Sequence, residues 1–324
     1  MCSASTGTAG RIENAQVAVY LTYATDSGHA FIDRELYLPR SWADDPERRA
    51  AAGVPAEVEF ATKPALATTM VCRALDAGVA ARWVSGDEVY GADPGLRREL
   101  EARSVGYVLA VGSDRRVVTG AGTMRADQVA RTLPRGAWQQ RSAGPGAKGP
   151  RLYDWALVDI DANRPGHRWL LVRRNRTTAE LAYYRCYSPQ PVPLSALITV
   201  AGRRWTVEEG FQTGKGLCGL DEHQVRRWAS WHRWTILSML AHAFLAVLAA
   251  TERSTRSEHG LTPMTCNEIQ HLLNSLITSN NHDRQHCLRW SHWRRRHQHH
   301  ARTCHYRRRG TLIGHEDHDL QLQY

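Results

Sequence analysis

Between residues 16 and 113, short runs of β-branched and aromatic residues alternate with helical stretches. This order constrains the fold more than any other feature of the chain. QVAVYLTYAT (16–25) reads as a strand, and HAFIDRELYLP (29–39) follows across an Asp26-Ser27-Gly28 turn, so the two form a hairpin. Asp44 or Asp45 with Pro46 opens a helix over 46–52. In KPALATTMVCRALDA (63–77), apolar residues at 66, 70, 71, 74 and 75 share a helical face. ARWVSGDEVYG (81–91) is a strand ending in acids. Asp93-Pro94 then supplies an N-cap with proline at the first helical position of a helix over 94–103. GYVLAVGS (106–113) is a short buried strand. Hairpin, helix, strand, helix, strand predicts a mixed α/β sheet.

From 114 to 195 the texture turns β-rich. RLYDWALVDID, an NRPG turn, HRWLLVRRN and ELAYYRCYSP read as strands joined by hairpins. The preceding SAGPGAKGP (142–150) has glycines and Lys148 but not the G-x-x-x-x-G-K-[ST] spacing that cradles phosphates, so it reads as a flexible hairpin loop. Helix returns with PLSALITVAGRRWTVEEGFQTGK. The run WTILSMLAHAFLAVLAA (234–250) is interrupted by Ser238 and His242 and falls short of the ~20 residues of a membrane span. It reads as a buried helix over 231–250, with His242 a core histidine. A polar link (252–263) leads to a helix at 265–278 and then a basic block. The expected division is 1–113, 114–195, 196–250 and 251–324, the last a helical, basic C-terminal region.

At 324 residues the chain can bury a sizeable core. Its net charge of +10 is unevenly spread. Residues 282–310 hold nine arginines against Asp283 alone, so most of the basicity is C-terminal, which points to a polyanion partner, nucleic acid first. The candidate phosphate contacts there are Arg294, Arg295, Arg296, Arg307, Arg308 and Arg309, interleaved with Trp290, Trp293 and Tyr306. A solvated or disordered basic tail is the alternative. Seven cysteines with no C-x-x-C pair read as reduced thiols, and the Cys287 to His305 spacings fit no zinc finger or ribbon. No basic region followed by an apolar run marks the N-terminus as a secretory signal.

RRWTVEEGFQTGK (203–215) carries the chemistry. On a helix, Glu208 lies four residues after Arg204 and seven before Lys215, so the three share a face, whereas Glu209 is turned away by about 100°. Gly210 and Gly214 are awkward there, each costing about 1 kcal/mol against alanine. By spacing alone this is a solvated helix with an i,i+4 Arg–Glu pair.

The R-x3-E-x6-K pattern of Arg204, Glu208 and Lys215 resembles the signature of insertion-sequence DDE transposases. GLDEHQVRRW continues it, and GTAGRIENAQVAVYLTYA, PAEVEFATKPALA, WVSGDEVYG and GAKGPRLYDWAL are similar to one bacterial group of them. The resemblance spans about residues 7–310. It implies a ribonuclease-H-like fold with a β-rich insertion at 114–195 before the helix bearing the Glu. It also implies an Asp-Asp-Glu triad holding two Mg²⁺ (or Mn²⁺) ions for DNA cleavage and strand transfer. Asp87 resembles the second acid and Glu208 the third; Lys215 resembles the lysine on the transposon-end phosphate and Arg204 the motif's arginine. The motif's tyrosine falls at Ala201, a departure that weakens this end-DNA contact. Glu88 and Glu209 are neighbours of the ligands. Two ions activate the attacking oxygen and stabilise the leaving one, which is why three carboxylates must converge.

The first acid belongs on a central strand ahead of GTAGRIENAQ, and the sequence holds only six residues there. Asp26 and Asp33 are the nearest substitutes; Asp26 reads as a turn and Asp33 as a solvated strand residue. The expectation is therefore an N-terminally truncated, inactive transposase with two unpaired strand edges facing each other. Its rivals are a non-catalytic DNA-binding or regulatory fragment and a ribonuclease-H-like nuclease. The partners implied are double-stranded DNA, as transposon ends and target, and a second copy or a full-length transposase. The expected setting is the bacterial cytoplasm at the nucleoid, without a membrane.

Overall fold

The computed structural model describes residues 3–5, 12–14, 16–146, 149–255, 260–278 and 284–321. A small pair, β1 (Ser3–Ser5) and β2 (Ile12–Asn14), precedes the hairpin of β3 (Val17–Ala24) and β4 (His29–Tyr37). Helices α1 (Arg40–Ala43), α2 (Pro46–Ala52) and α3 (Lys63–Asp76) lead to β5 (Trp83–Gly86), α4 (Glu88–Gly91), α5 (Pro94–Ala102) and β6 (Gly106–Val111). The hairpin β7 (Arg116–Thr119) and β8 (Gly122–Arg125) and helix α6 (Ala126–Thr132) follow. Then come β9 (Gln139–Gly146), β10 (Gly149–Asp159), β11 (His167–Arg174) and β12 (Leu181–Ser188). The chain continues through α7 (Leu194–Arg203), α8 (Trp205–Cys218), α9 (Trp228–Thr255), α10 (Cys266–Leu273) and α11 (Arg284–Gln321).

The local signals in the sequence work as physics requires. Asp45, Thr62 and Asp93 each accept a backbone N–H at the start of α2, α3 and α5, and each helix has proline in its first turn. The segment 81–91 is a strand only to Gly86. Asp87 then caps the short helix α4.

Six strands form one mixed sheet in the order β5-β6-β12-β11-β10-β9, with β5 parallel to β6 and every other pair antiparallel. This mixed α/β architecture is consistent with a ribonuclease-H-like fold. The strands of the β-rich segment extend the sheet directly, β12 pairing with β6 through Tyr184 opposite Ala110. SAGPG belongs to β9 rather than to a free loop, while Lys148 lies outside the described residues. The glycines that suggested a loop serve a bent edge strand, whose register on β10 shifts between Pro150 and Leu152.

Both faces of the sheet are covered, so β6 is buried almost throughout. Val108, Trp155, Leu171 and Tyr184 pack under Leu197 and Ile198 of α7. Tyr107 and Leu109 face Val71 of α3 and Leu96 and Leu100 of α5. Leu170 and Val172 face Val129 of α6. On that face Glu101 accepts from Arg168 at 2.7 Å and from the Tyr107 hydroxyl at 2.8 Å, so the buried guanidinium is paired.

The β3–β4 hairpin stands apart. Among the described residues β3 pairs only with β4 and β5 only with β6. The hairpin is held instead through its faces. Leu21 joins the cluster under α3, and the Tyr23 hydroxyl donates to the Ala80 carbonyl at 3.2 Å, just ahead of β5. On the other face Tyr20 and Phe31 pack with Phe211 of α8 and Met239 of α9. A seam thus separates two sheets that share α3 as a common support.

Helix α9 is long and apolar enough, over Trp228–Ser254, to cross a membrane by length and composition, with a third of its most apolar window buried. One face, with Trp231, Thr235, Ser238, Met239, His242, Leu245 and Ala249, packs on the body of the protein. The opposite stripe of Leu237, Leu240, Phe244 and Val247 is exposed. The expected buried helix is therefore buried on one side only. An all-round apolar sequence cannot indicate which side.

Candidate functional site

Asp87 sits where β5 ends, on the seam edge of the six-stranded sheet. Its Oδ1 accepts the Val89 N–H at 2.9 Å, so it does cap a turn, and the side chain remains exposed. The helix it caps lies tight on the sheet: a Cβ on Gly91 would stand 1.8 Å from the Ala110 carbonyl oxygen. Burial, with Asp87 beside it, pushes the Tyr90 hydroxyl up to about 12, which keeps it a neutral neighbour of the carboxylate.

Glu208 lies in the first turn of α8 and is exposed. Arg204 is the joint between α7 and α8 and lies near Tyr184 of the sheet, whose pKa burial raises while Arg173 and then Arg204 oppose the rise. The i,i+4 ion pairs of the described residues are Arg103–Glu99 and Arg131–Asp127, not Arg204–Glu208. Glu208 therefore shares a helical face with Arg204 and Lys215 without being tied up by the arginine. Glu209 points elsewhere, towards His29, whose pKa it raises against a larger lowering by burial.

Two features that propensity alone made awkward have a reason here. A Cβ on Gly210 would stand 3.3 Å from Cζ of Phe31, and one on Gly214 would stand 3.4 Å from its Cε2. The i,i+4 glycines let α8 lie directly on the hairpin. A third close approach, a Gly202 Cβ 2.1 Å from the Ala143 carbonyl oxygen, seats α7 on β9. Consequently Asp87 belongs to the large sheet, and Glu208 to a helix seated on the hairpin across the seam.

The two substitutes for a third acid are engaged. Asp33 accepts from Arg73 at 2.7 Å, and Asp26 pairs with Arg203. Among the described residues no three His, Cys, Asp or Glu side chains cluster so as to hold a metal ion. The donors among the described residues therefore fall short of a three-acid set for two Mg²⁺ or Mn²⁺ ions.

The basic tail is a helix, in line with the helical, basic C-terminal region expected there. Its arginines divide by direction. Arg294 pairs with Glu268, and Arg295 pairs with Glu252 and donates through Nε to the Thr262 carbonyl at 2.7 Å. Arg309 donates to the Pro150 carbonyl at 3.1 Å. These three dock α11 on the protein. Arg296, Arg307 and Arg308 are exposed. Glu268, the acid that marks the docking, was not singled out in the sequence; its place in an amphipathic helix just after the Thr265 cap was the available signal.

No curated protein matches the chain. Residues 3–152, a stretch that contains the hairpin, α3 and the strand ending in Asp87, match the family model DDE_5, DDE superfamily endonuclease, and this match supports a DDE-type transposase or nuclease family.

Proposed function

We propose that this chain is the catalytic region of a DNA transposase of a bacterial insertion sequence, acting on double-stranded DNA in the cytoplasm. On its own it binds that DNA and does not cut it. The match of residues 3–152 carries the reading. What fits it at the site is Asp87 and Glu208 on opposite sides of the seam, with Arg204 and Lys215 on the face of Glu208 to meet phosphates. In this reading Asp87 and Glu208 would hold a divalent ion, and with a third carboxylate such an ion would supply activation of the attacking oxygen. Inactivity follows from the donor count, since Asp26 and Asp33 are held by arginines. The same count favours a second reading, a non-catalytic DNA-binding protein that occupies element ends. A second copy or a full-length transposase is the protein partner, and the exposed stripe of α9 offers the apolar surface for it.

The purified chain, incubated with Mg²⁺ or Mn²⁺ and labelled duplex carrying the element's ends, tests this. Retention of end DNA without nicking is the expected outcome. Nicking that disappears in both Asp87→Ala and Glu208→Ala would keep the family reading and overturn inactivity. Cleavage without end preference would favour a general nuclease. No binding to DNA, or nicking indifferent to both substitutions, would sink the proposal.

A further inference from the structure

Helix α11 carries a second feature that docking does not use. With its inward face committed to Glu252, Glu268 and Pro150, the helical repeat turns Trp290, Trp293, Arg296, His297 and Arg308 outward together. Trp290 and Trp293 are 56% and 50% exposed, yet their rings stack on one another with centroids 4.9 Å apart and planes 18° from parallel. His297 tilts against Trp293 at 4.2 Å. Large aromatic rings in water, stacked and flanked by cations, present a free π-face to something planar and anionic. Duplex DNA meets arginines through its phosphates and keeps its bases stacked inside. An unpaired strand offers both phosphate and base faces.

We propose that the outward face of α11 is a platform for single-stranded nucleic acid. The outer face of Trp290 receives an unpaired base, and Arg296 and Arg308, about 18 Å apart along the helix, hold phosphates of the same strand. This rests on the DNA-acting reading above and sharpens it: the tail holds a strand that has been opened, while duplex is held elsewhere. The competing occupant of an aromatic stack is a second copy of the chain.

Anisotropy titrations of the full chain with a labelled oligothymidylate and with a duplex of equal length, both without divalent ions, separate these. In the Trp290→Ala/Trp293→Ala variant, single-strand affinity is expected to fall about tenfold or more with an unchanged salt slope, while duplex affinity holds. Phenylalanine at both positions should restore most of it. Arg296→Glu should weaken single-strand binding and shallow its salt dependence, with a smaller effect on duplex. Equal losses on both ligands, no loss, or no wild-type binding to oligothymidylate would overturn the platform. So would a shift of the tryptophan variant to a smaller sedimenting species, which would assign the stack to protein contact. Because no cleavage is read, a chain that never cuts DNA can still pass. A chain that nicks end DNA but binds oligothymidylate equally in the variant loses only the platform.

Discussion

At the scale of single residues, the glycines of α8 separate helix propensity from packing. Gly216 is exposed with nothing near its missing Cβ, so Gly216→Ala should stabilise the protein by about 1 kcal/mol through propensity alone. Gly214→Ala gains the same propensity but pushes a methyl to 3.2 Å from Leu220 and 3.4 Å from Phe31, which sits among Tyr20, Phe211 and His242. Overpacking of about 1–3 kcal/mol should outweigh the gain, giving a net loss. Thermal unfolding of the two variants should show opposite signs; a shared sign would show that the α8–hairpin contact is loose. The sequence exposed the unequal glutamates through simple helical geometry. It could not explain the glycines, because their partner Phe31 lies far away in the chain.

Among the elements, α11 shows what charge can do in place of an apolar stripe. Its arginines look alike in sequence, but Glu268 is only 5% exposed and is paired with Arg294. Removing Arg294 strands a buried carboxylate. Because the arginine is itself about a third exposed, Arg294→Ala should cost about 2–3 kcal/mol, less than a fully buried pair. Arg296→Ala should lie within about 0.5 kcal/mol of wild type. Denaturant midpoints measure both, and equal effects would contradict the division of the helix into two faces. Elements between residues 16 and 111 were legible because caps and turns are local chemistry. Which arginines of the tail dock was not, because their partners, Glu252, Glu268 and Pro150, come from three other segments. Strand β9 was missed because its glycines and prolines are the composition of a loop. Its pairing with β10 and the seat it gives α7 override that local preference.

For the molecule as a whole, the seam matters most. Two-stranded sheets are marginal alone, and β3–β4 depends on α3, α8 and α9 for its burial. Hydrogen exchange should therefore resolve two levels of protection, with Val17–Ala24 opening more easily than β6 and β11 at the centre of the large sheet. Uniform protection would mean that the two sheets open as one cooperative unit. The overall α/β class was readable from the alternation of elements. Which edges would remain without partners followed only from the family resemblance, since strand order is a property of tertiary contacts.

One link closes across this divided body. Helix α9 lies on the hairpin, α11 is pinned to Glu252 near the end of α9, and farther along Tyr306 and Arg309 reach the carbonyls of Gly146 and Pro150 at the far edge of the large sheet. The tail thus works as a tie-rod between the hairpin side and the opposite rim. Tension applied to its outer face, as by a strand pulled along it, would be carried into both halves at once rather than peeling off a loose end.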